Sequence, residues 1–193
     1  MLRLLCEQVI NHAGDLTQLM NTCDAEGNVV LHAAVNAGCA ETVKICLCNG
    51  ALIDTMQLNQ STAAHFAAMR GELHIVQTMF AAQPQRVQSV LTLKDKNGMT
   101  LLHAAVLFDN DEVAQFLLDQ GAQLEATDDN ERTPLLWAAF KKSSKCIKLL
   151  LSRGANVLHV EKCGRNLMHL AMLNGVKMND TFDKIPEMVS IHV

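Results

Sequence analysis

Apolar and polar residues come in blocks along this chain. In residues 99–122, MTLLHAAVLFDNDEVAQFLLDQGA, an apolar run gives way to the polar stretch DNDE. A second run then places Val113, Phe116, Leu117 and Leu118 at helical spacing. This pattern predicts two short helices, about 100–108 and 112–120, joined by a polar turn. Asn110 or Asp111 is placed to cap the second helix, and the acids at its start suit the helix dipole. A calcium loop would need DxDxDG, and Ala114 stands where its glycine belongs. One such unit cannot bury its apolar stripe alone, so it needs neighbours.

The neighbours are in the sequence. His32 lies in NVVLHAAVNAG, His65 in STAAHFAAMRG, His103 in MTLLHAAVLFD and His169 in RNLMHLAMLNG. His32 and His65 are 33 residues apart, and His103 and His169 are 66 apart with Leu136 of TPLLWAAFKK midway. The His65–His103 gap is 38, one period with five residues inserted in AAQPQRVQSVLTL, where Pro84 should end the preceding helix. Alanine stands two positions after each motif residue: Ala34, Ala67, Ala105, Ala138 and Ala171. Six positions after come Gly38, Gly71, Asp109, Lys142 and Gly175, where one helix must turn into the next. Gly50-Ala51, Gly121-Ala122 and Gly154-Ala155 close the second helices, and Gly27, Gly98 and Gly164 precede the first helices. These columns take nine of the ten glycines. Gln60 and Glu131 replace the turn glycines, which predicts differently shaped turns there.

A period of 33 with a TPLHxA-like motif resembles the ankyrin repeat. Thr133-Pro134-Leu135 keeps the TPL part, although Leu136 replaces its histidine. The implied fold is all-α, an ankyrin-repeat solenoid of stacked helix-turn-helix units. About four repeats are complete, with a partial repeat at each end. Residues 1–23 read as the second helix and linker of a truncated repeat, and 24–175 as repeats at 24–54, 57–83, 95–126, 128–158 and, partial, 161–175. Residues 176–193 read as a non-repeat tail, expected to be disordered. Leu2, Leu4 and Leu5 at one end, and Leu167, Leu170 and Met172 at the other, are expected to form unpartnered faces. The ends therefore suggest a piece of something larger, marginal or aggregation-prone by itself.

Composition narrows the functional classes. Hydrophobic residues make up 49% and charged residues 19%, which fits a globular chain. A net charge of −4 disfavours nucleic acid and anionic membranes as partners. No apolar run has the roughly 20 residues needed to span a bilayer. Seven cysteines without CxxC pairs, and without a secretory signal, suggest reduced thiols on the cytoplasmic side.

The candidate chemistry is sparse. His32, His65, His103 and His169, one repeat apart at about 10 Å, form a ladder rather than a ligand cluster. They and Thr133 and Pro134 are read as structural. No catalytic, metal or cofactor signature appears, so no enzyme is expected. Asp128 and Asp129 read as a solvated turn. Candidate thiols are Cys46, Cys146 and Cys163, the last two beside Lys145 and Lys162. Positions four and five after each motif residue should line the concave face. Met69, Leu107, Phe108, Phe140 and Leu173 fall there, with Trp137 nearby, as either a partner-contact surface or side chains half-buried between helices.

A narrower resemblance rests on the irregularities. The insertion before LLHAAVLFD, LFD in place of a glycine turn, and a TPL motif lacking histidine occur in that order. So arranged, the repeats are similar to the amino-terminal array of transient receptor potential cation channels of the ankyrin (TRPA) type. Cys46 in CLCNGA resembles a family cysteine position. The resemblance implies a sensory and scaffolding segment on the cytoplasmic side of a homotetrameric, calcium-permeable, non-selective channel of the plasma membrane. That segment acts through protein partners or other parts of the subunit. The pore would lie far downstream, outside this chain. The other reading is a free-standing cytosolic ankyrin adaptor that binds a protein on its concave face.

Overall fold

The computed structural model describes residues 16–175. Its helices are α1 (Leu16–Met20), α2 (Val30–Asn36), α3 (Ala40–Cys48), α4 (Ala63–Arg70), α5 (Leu73–Ala82), α6 (Val87–Thr92), α7 (Leu101–Leu107), α8 (Asp111–Asp119), α9 (Pro134–Lys141), α10 (Ser144–Ser152) and α11 (Leu167–Asn174). Helices α2, α4, α7, α9 and α11 stack in order as an inner layer, while α3, α5, α8 and α10 form the outer layer. The alanine column lets inner helices approach closely, and Ala67, Ala105, Ala138 and Ala171 are all fully buried. Between the layers one core runs from Val43 and Ile53 through Met79, Leu102 and Leu117 to Ile147, Leu150 and Leu170.

The five inserted residues do more than end a helix. Pro84 opens a 3-10 turn, Pro84–Arg86, which leads into the extra helix α6. Gln83 is buried and anchors this insert to an earlier repeat. Its side chain donates to the Ala51 carbonyl (2.6 Å) and accepts from the Ile53 amide (3.3 Å). Arg86 adds an ion pair to Asp54.

The turns before the inner helices share one shape. The amides of Gly27, Gln60, Gly98, Glu131 and Gly164 each donate to the carbonyl three residues back, at 2.7–3.1 Å. Gln60 (φ 63°) and Glu131 (φ 60°) adopt the left-handed conformation of the glycines they replace. The expectation of differently shaped turns is therefore corrected. Asp109 (φ 57°) and Lys142 (φ 62°) do the same at the inner-helix ends. Stacking demands one backbone path in every repeat, so these side chains carry a strain of roughly 1–2 kcal/mol each. A further ladder joins turn to turn. Leu58 donates to the Glu26 carbonyl, Lys96 to Asn59, Asp129 to Asn97 and Lys162 to Asn130, at 2.9–3.2 Å.

The histidines begin the inner helices. Nδ1 of His32, His65 and His103 accepts the backbone N–H of Val29, Thr62 and Thr100, each at 3.2 Å. That assigns the proton to Nε2, which faces the next repeat. His32 Nε2 reaches the Ser61 carbonyl at 3.4 Å and His103 Nε2 the Arg132 carbonyl at 3.0 Å. The Nε2 of His65 is buried without such a partner. The corresponding carbonyl belongs to Met99, in the repeat after the insert. His169 Nδ1 accepts the same backbone bond, from the Asn166 amide at 3.4 Å, but the ring is exposed, because no described repeat follows it. At the fourth inner helix Thr133 Oγ accepts from the Leu136 amide (3.4 Å), and Pro134 fills the first helical position, where an N–H has no helical partner.

The ends differ in part from expectation. Leu167 and Leu170 are fully buried against the preceding repeat, whereas Met172 is 70% exposed. Leu2, Leu4 and Leu5, like the tail 176–193, lie outside the described residues.

Two outcomes follow from this geometry. A Cβ on Gly98 (φ 75°) would lie 2.7 Å from the Asp129 backbone nitrogen, whereas one on Gly164 (φ 74°) would meet nothing. Gly98→Ala should therefore cost roughly 3 kcal/mol and Gly164→Ala roughly 1, compared by urea denaturation. Burial also pushes the His65 imidazole from 6.5 to about 4, and lowers His32 and His103 in the same direction. The unfolded chain thus takes up protons first on acidification. Stability present above pH 6.5 should be lost as pH falls toward 4, with His65 alone accounting for about 2 kcal/mol at pH 5. Denaturation at pH 7 and pH 5 checks this, and His65→Leu should flatten the dependence.

Candidate functional site

The six apolar candidates of the inner face separate into two kinds. Phe108 is 53% exposed and Leu173 68% exposed. Met69, Trp137 and Phe140 are half-buried and pack against the core, and Leu107 is half-buried. The difference traces to what surrounds each ring. Trp137 meets Phe140 edge to face, with centroids 5.5 Å apart. Its Nε1 donates to Asp128 Oδ2 at 2.8 Å. The Arg132 guanidinium lies over both rings, 5.2 Å from Trp137 and 5.1 Å from Phe140. The same arginine faces buried Glu161 of the next repeat (Nε–Oε2 3.6 Å), whose other oxygen accepts from Arg165 Nε at 2.6 Å. The Arg165 hydrogen bond holds the Glu161 carboxyl below the usual carboxylate range. Arg132 is attracted to the ring faces by their quadrupole and to Glu161 by charge. Trp137 and Phe140 are therefore already occupied by the chain's own cation.

Asp128 is not a solvated turn residue. It is buried, and its Oδ1 accepts from the Asn130 and Arg132 amides at 2.8 Å each, so the expectation is corrected. Asp129 is exposed, as expected. Sequence reasoning also passed over Arg132, Glu161 and Arg165. The available signal was periodic, since Asp128 and Glu161, like Arg132 and Arg165, are 33 residues apart.

Phe108 stands beside the other irregular feature, the LFDN turn. Asn110 precedes α8 but its side chain does not cap that helix. Its Nδ2 instead donates to the carbonyls of Ala68 (2.8 Å) and Met69 (2.9 Å) at the end of α4, in the previous repeat. Asp109 Oδ1 accepts from the Cys146 amide (3.0 Å) at the start of α10, in the following repeat. Asp111 pairs with Lys145 at 3.3 Å. Asp111 and Glu112 occupy the first turn of α8, as their reading as helix-start chemistry expects, and Asp109 and Asp111 also serve the start of α10 in the following repeat. Phe108 is thus an exposed ring on a turn fastened to both neighbouring repeats.

The thiols fall differently from expectation. Cys46 and Cys146 are fully buried, which corrects their reading as candidate reactive groups. Burial first, then the Asp109 carboxylate, pushes the Cys146 thiol well above its ordinary range. Lys145 beside it turns its charge to Asp111. Cys163 is exposed. Sequence reasoning missed Cys39, which is exposed and precedes α3 in the column of Glu72, Asn110 and Ser143. Hydrogen bonds from Thr42 lower its thiol below the ordinary value. Among the described residues no group of three or more His, Cys, Asp or Glu could hold a metal ion. None of their helices is long and apolar enough to cross a membrane.

Known proteins are similar to this chain in sequence. Transient receptor potential cation channel subfamily A member 1 of Drosophila melanogaster is 36% identical over 168 residues, 87% of this chain and 14% of that protein. Its Homo sapiens counterpart is 41% identical over 142 residues, 74% of this chain and 13% of that protein. The putative palmitoyltransferase ZDHHC13 of Danio rerio is 34% identical over 174 residues, 88% of this chain and 25% of that protein. The chain thus spans a quarter or less of these relatives' lengths. A family profile described as ankyrin repeats (three copies) matches residues 31–128 and 79–161, the same stretch over which turns, histidine caps and alanine contacts recur. On its backbone geometry and on this match alike, the chain belongs to the ankyrin-repeat family.

Proposed function

We propose that this chain is an ankyrin-repeat segment of a TRPA-like cation channel subunit, serving a scaffolding and sensory role on the cytoplasmic side through protein contacts. Its ion pathway would lie in other parts of the subunit. The observation that carries the reading is the match to two such channels over 87% and 74% of the chain. A second reading is a free-standing adaptor, since similar repeats also occur outside channels, as in the 34% identity to a putative palmitoyltransferase over 88% of the chain. Both readings use the repeats as a surface for another protein, and Phe108 is the exposed ring best held for that purpose. An aromatic side chain on a rigid turn loses little entropy on contact.

Full-length transcript sequencing separates the two readings. Further repeats followed by six apolar segments are expected, and a verified short transcript with its own start and stop would favour the adaptor. For the contact face, Phe108→Ala should reduce partner capture from cytosol at least severalfold with an unchanged melting curve. Trp137→Ala should instead lower stability by about 2 kcal/mol, because it strips buried Asp128 and Arg132 of a half-buried partner.

A further inference from the structure

Charge is unevenly laid out along this chain. The net charge is −4. Residues 133–160 nevertheless hold no Asp or Glu, and they carry the cations Lys141, Lys142, Lys145, Lys148 and Arg153. Two of these are spent on acids of α8, Lys145 on Asp111 and Arg153 on Asp119. Lys141, Lys142 and Lys148 are exposed and form no ion pair among the described residues. Lys141 Nζ lies 5.7 Å from the Phe140 ring centroid, a contact that does not neutralise its charge. Lys142 holds its charge at a φ of 62°, in the column where Gly38, Gly71 and Gly175 stand.

These free cations adjoin an exposed ring. The turn that carries Phe108 is bonded to the start of α10, where Asp109 Oδ1 accepts from the Cys146 amide (3.0 Å) and Asp111 holds Lys145 (3.3 Å). Phe108 and Lys141 occupy one column, five positions after His103 and Leu136. We propose that this ring and these lysines dock a short extended segment of a partner protein, an apolar residue lying on Phe108 and two acidic residues on Lys141 and Lys142. The proposal rests on the reading of Phe108 as a contact residue and gives that partner its chemistry.

Spacing and charge set the form of the segment. Packed helices of successive repeats lie about 10 Å apart, and an extended chain advances about 3.3 Å per residue. A side chain on Phe108 therefore brings the third and fourth residues beyond it to Lys141 and Lys142. On the other side of Phe108 the column carries Arg70, whose charge is taken by Glu72 at 2.6 Å. Free positive charge thus lies on one side of the ring only. The width of the partner is set by α8, which places Asp111, Glu112 and Asp119 beside the lysines. A broad anionic surface such as a bilayer would press on these carboxylates as well. A single strand follows the turn and meets the cations alone, with charge giving specificity and the ring giving an apolar anchor.

The test is a titration of the isotopically labelled 193-residue chain with the peptide acetyl-GSLGSDDGS-amide, followed by NMR shifts. The control peptide carries Asn, the neutral isostere, in place of both Asp residues. Saturable shifts at Phe108, Lys141, Lys142 and Ser144 are expected, with binding about tenfold weaker for the Asn peptide. Raising salt from about 50 to about 500 mM should weaken the Asp peptide and leave the Asn peptide unchanged. Lys141→Gln combined with Lys142→Gly removes both charges and puts glycine at the left-handed position, so this variant should melt no lower than the parent. Its binding of the Asp peptide should fall to the level of the Asn peptide. Equal binding of the two peptides, no saturable shift, or an undiminished response in the double variant would each overturn the inference. So would sedimentation with phosphatidylserine-containing vesicles that depends on the same lysines while the peptide fails to bind. Partner capture that depends on Phe108 but ignores the double variant would overturn this inference and leave the contact-face reading standing. Capture indifferent to both changes would sink the two together.

Discussion

The turn-to-turn hydrogen bonds set the terms for everything else in this solenoid. Each repeat presents a backbone carbonyl at its turn and receives an amide from the next, at the four junctions from Glu26–Leu58 to Asn130–Lys162. A peptide N–H and a C=O can meet at that spacing only if every turn follows the same path. The left-handed residue in each turn is thus a shared constraint rather than a local choice. It explains why Gln60 and Glu131 accept a conformation their side chains disfavour. It also holds the histidines in register, since Nε2 of His32 and His103 must reach a carbonyl of the following turn.

Where the pattern is broken, side chains take over the work of the backbone. The glycine of the inner-helix end is lost at Asp109, and the resulting side chain fastens α10, while Asn110 fastens α4. The insert before this repeat is tied back through Gln83 to Ala51 and Ile53. Irregular repeats therefore gain specific polar bonds in place of uniform ones. Such bonds tie particular neighbours together and favour one arrangement of the stack, because a buried donor or acceptor left unmet costs roughly 1–3 kcal/mol.

Much of the fold was legible before any coordinates. The period of 33, the glycine columns and the alanine column follow from backbone and packing limits that act on residue type directly. Less of the candidate site was legible. Asp128 and Trp137 look like a surface acid and an exposed ring until the Nε1 bond and the overlying Arg132 are seen. Asn110 looks like a cap because its place in the column is a cap's place, yet its amide finds the two carbonyls at the end of α4. Cys39 stood in the same column and went unremarked because nothing beside it in sequence is charged and basic.

The sequence by itself determined the repeat, its two-layer helical form and the structural role of the histidines, because these depend on spacing along one chain. Tertiary structure alone decided which side chains are available. Phe108 and Phe140 are both aromatics at the ends of the inner-helix motifs, but one is exposed and the other lies under Arg132. Cys146 and Cys163 each follow a lysine, but only the second reaches solvent. Exposure is settled by what the neighbouring repeats bring to the same point in space, and spacing along one chain does not record that.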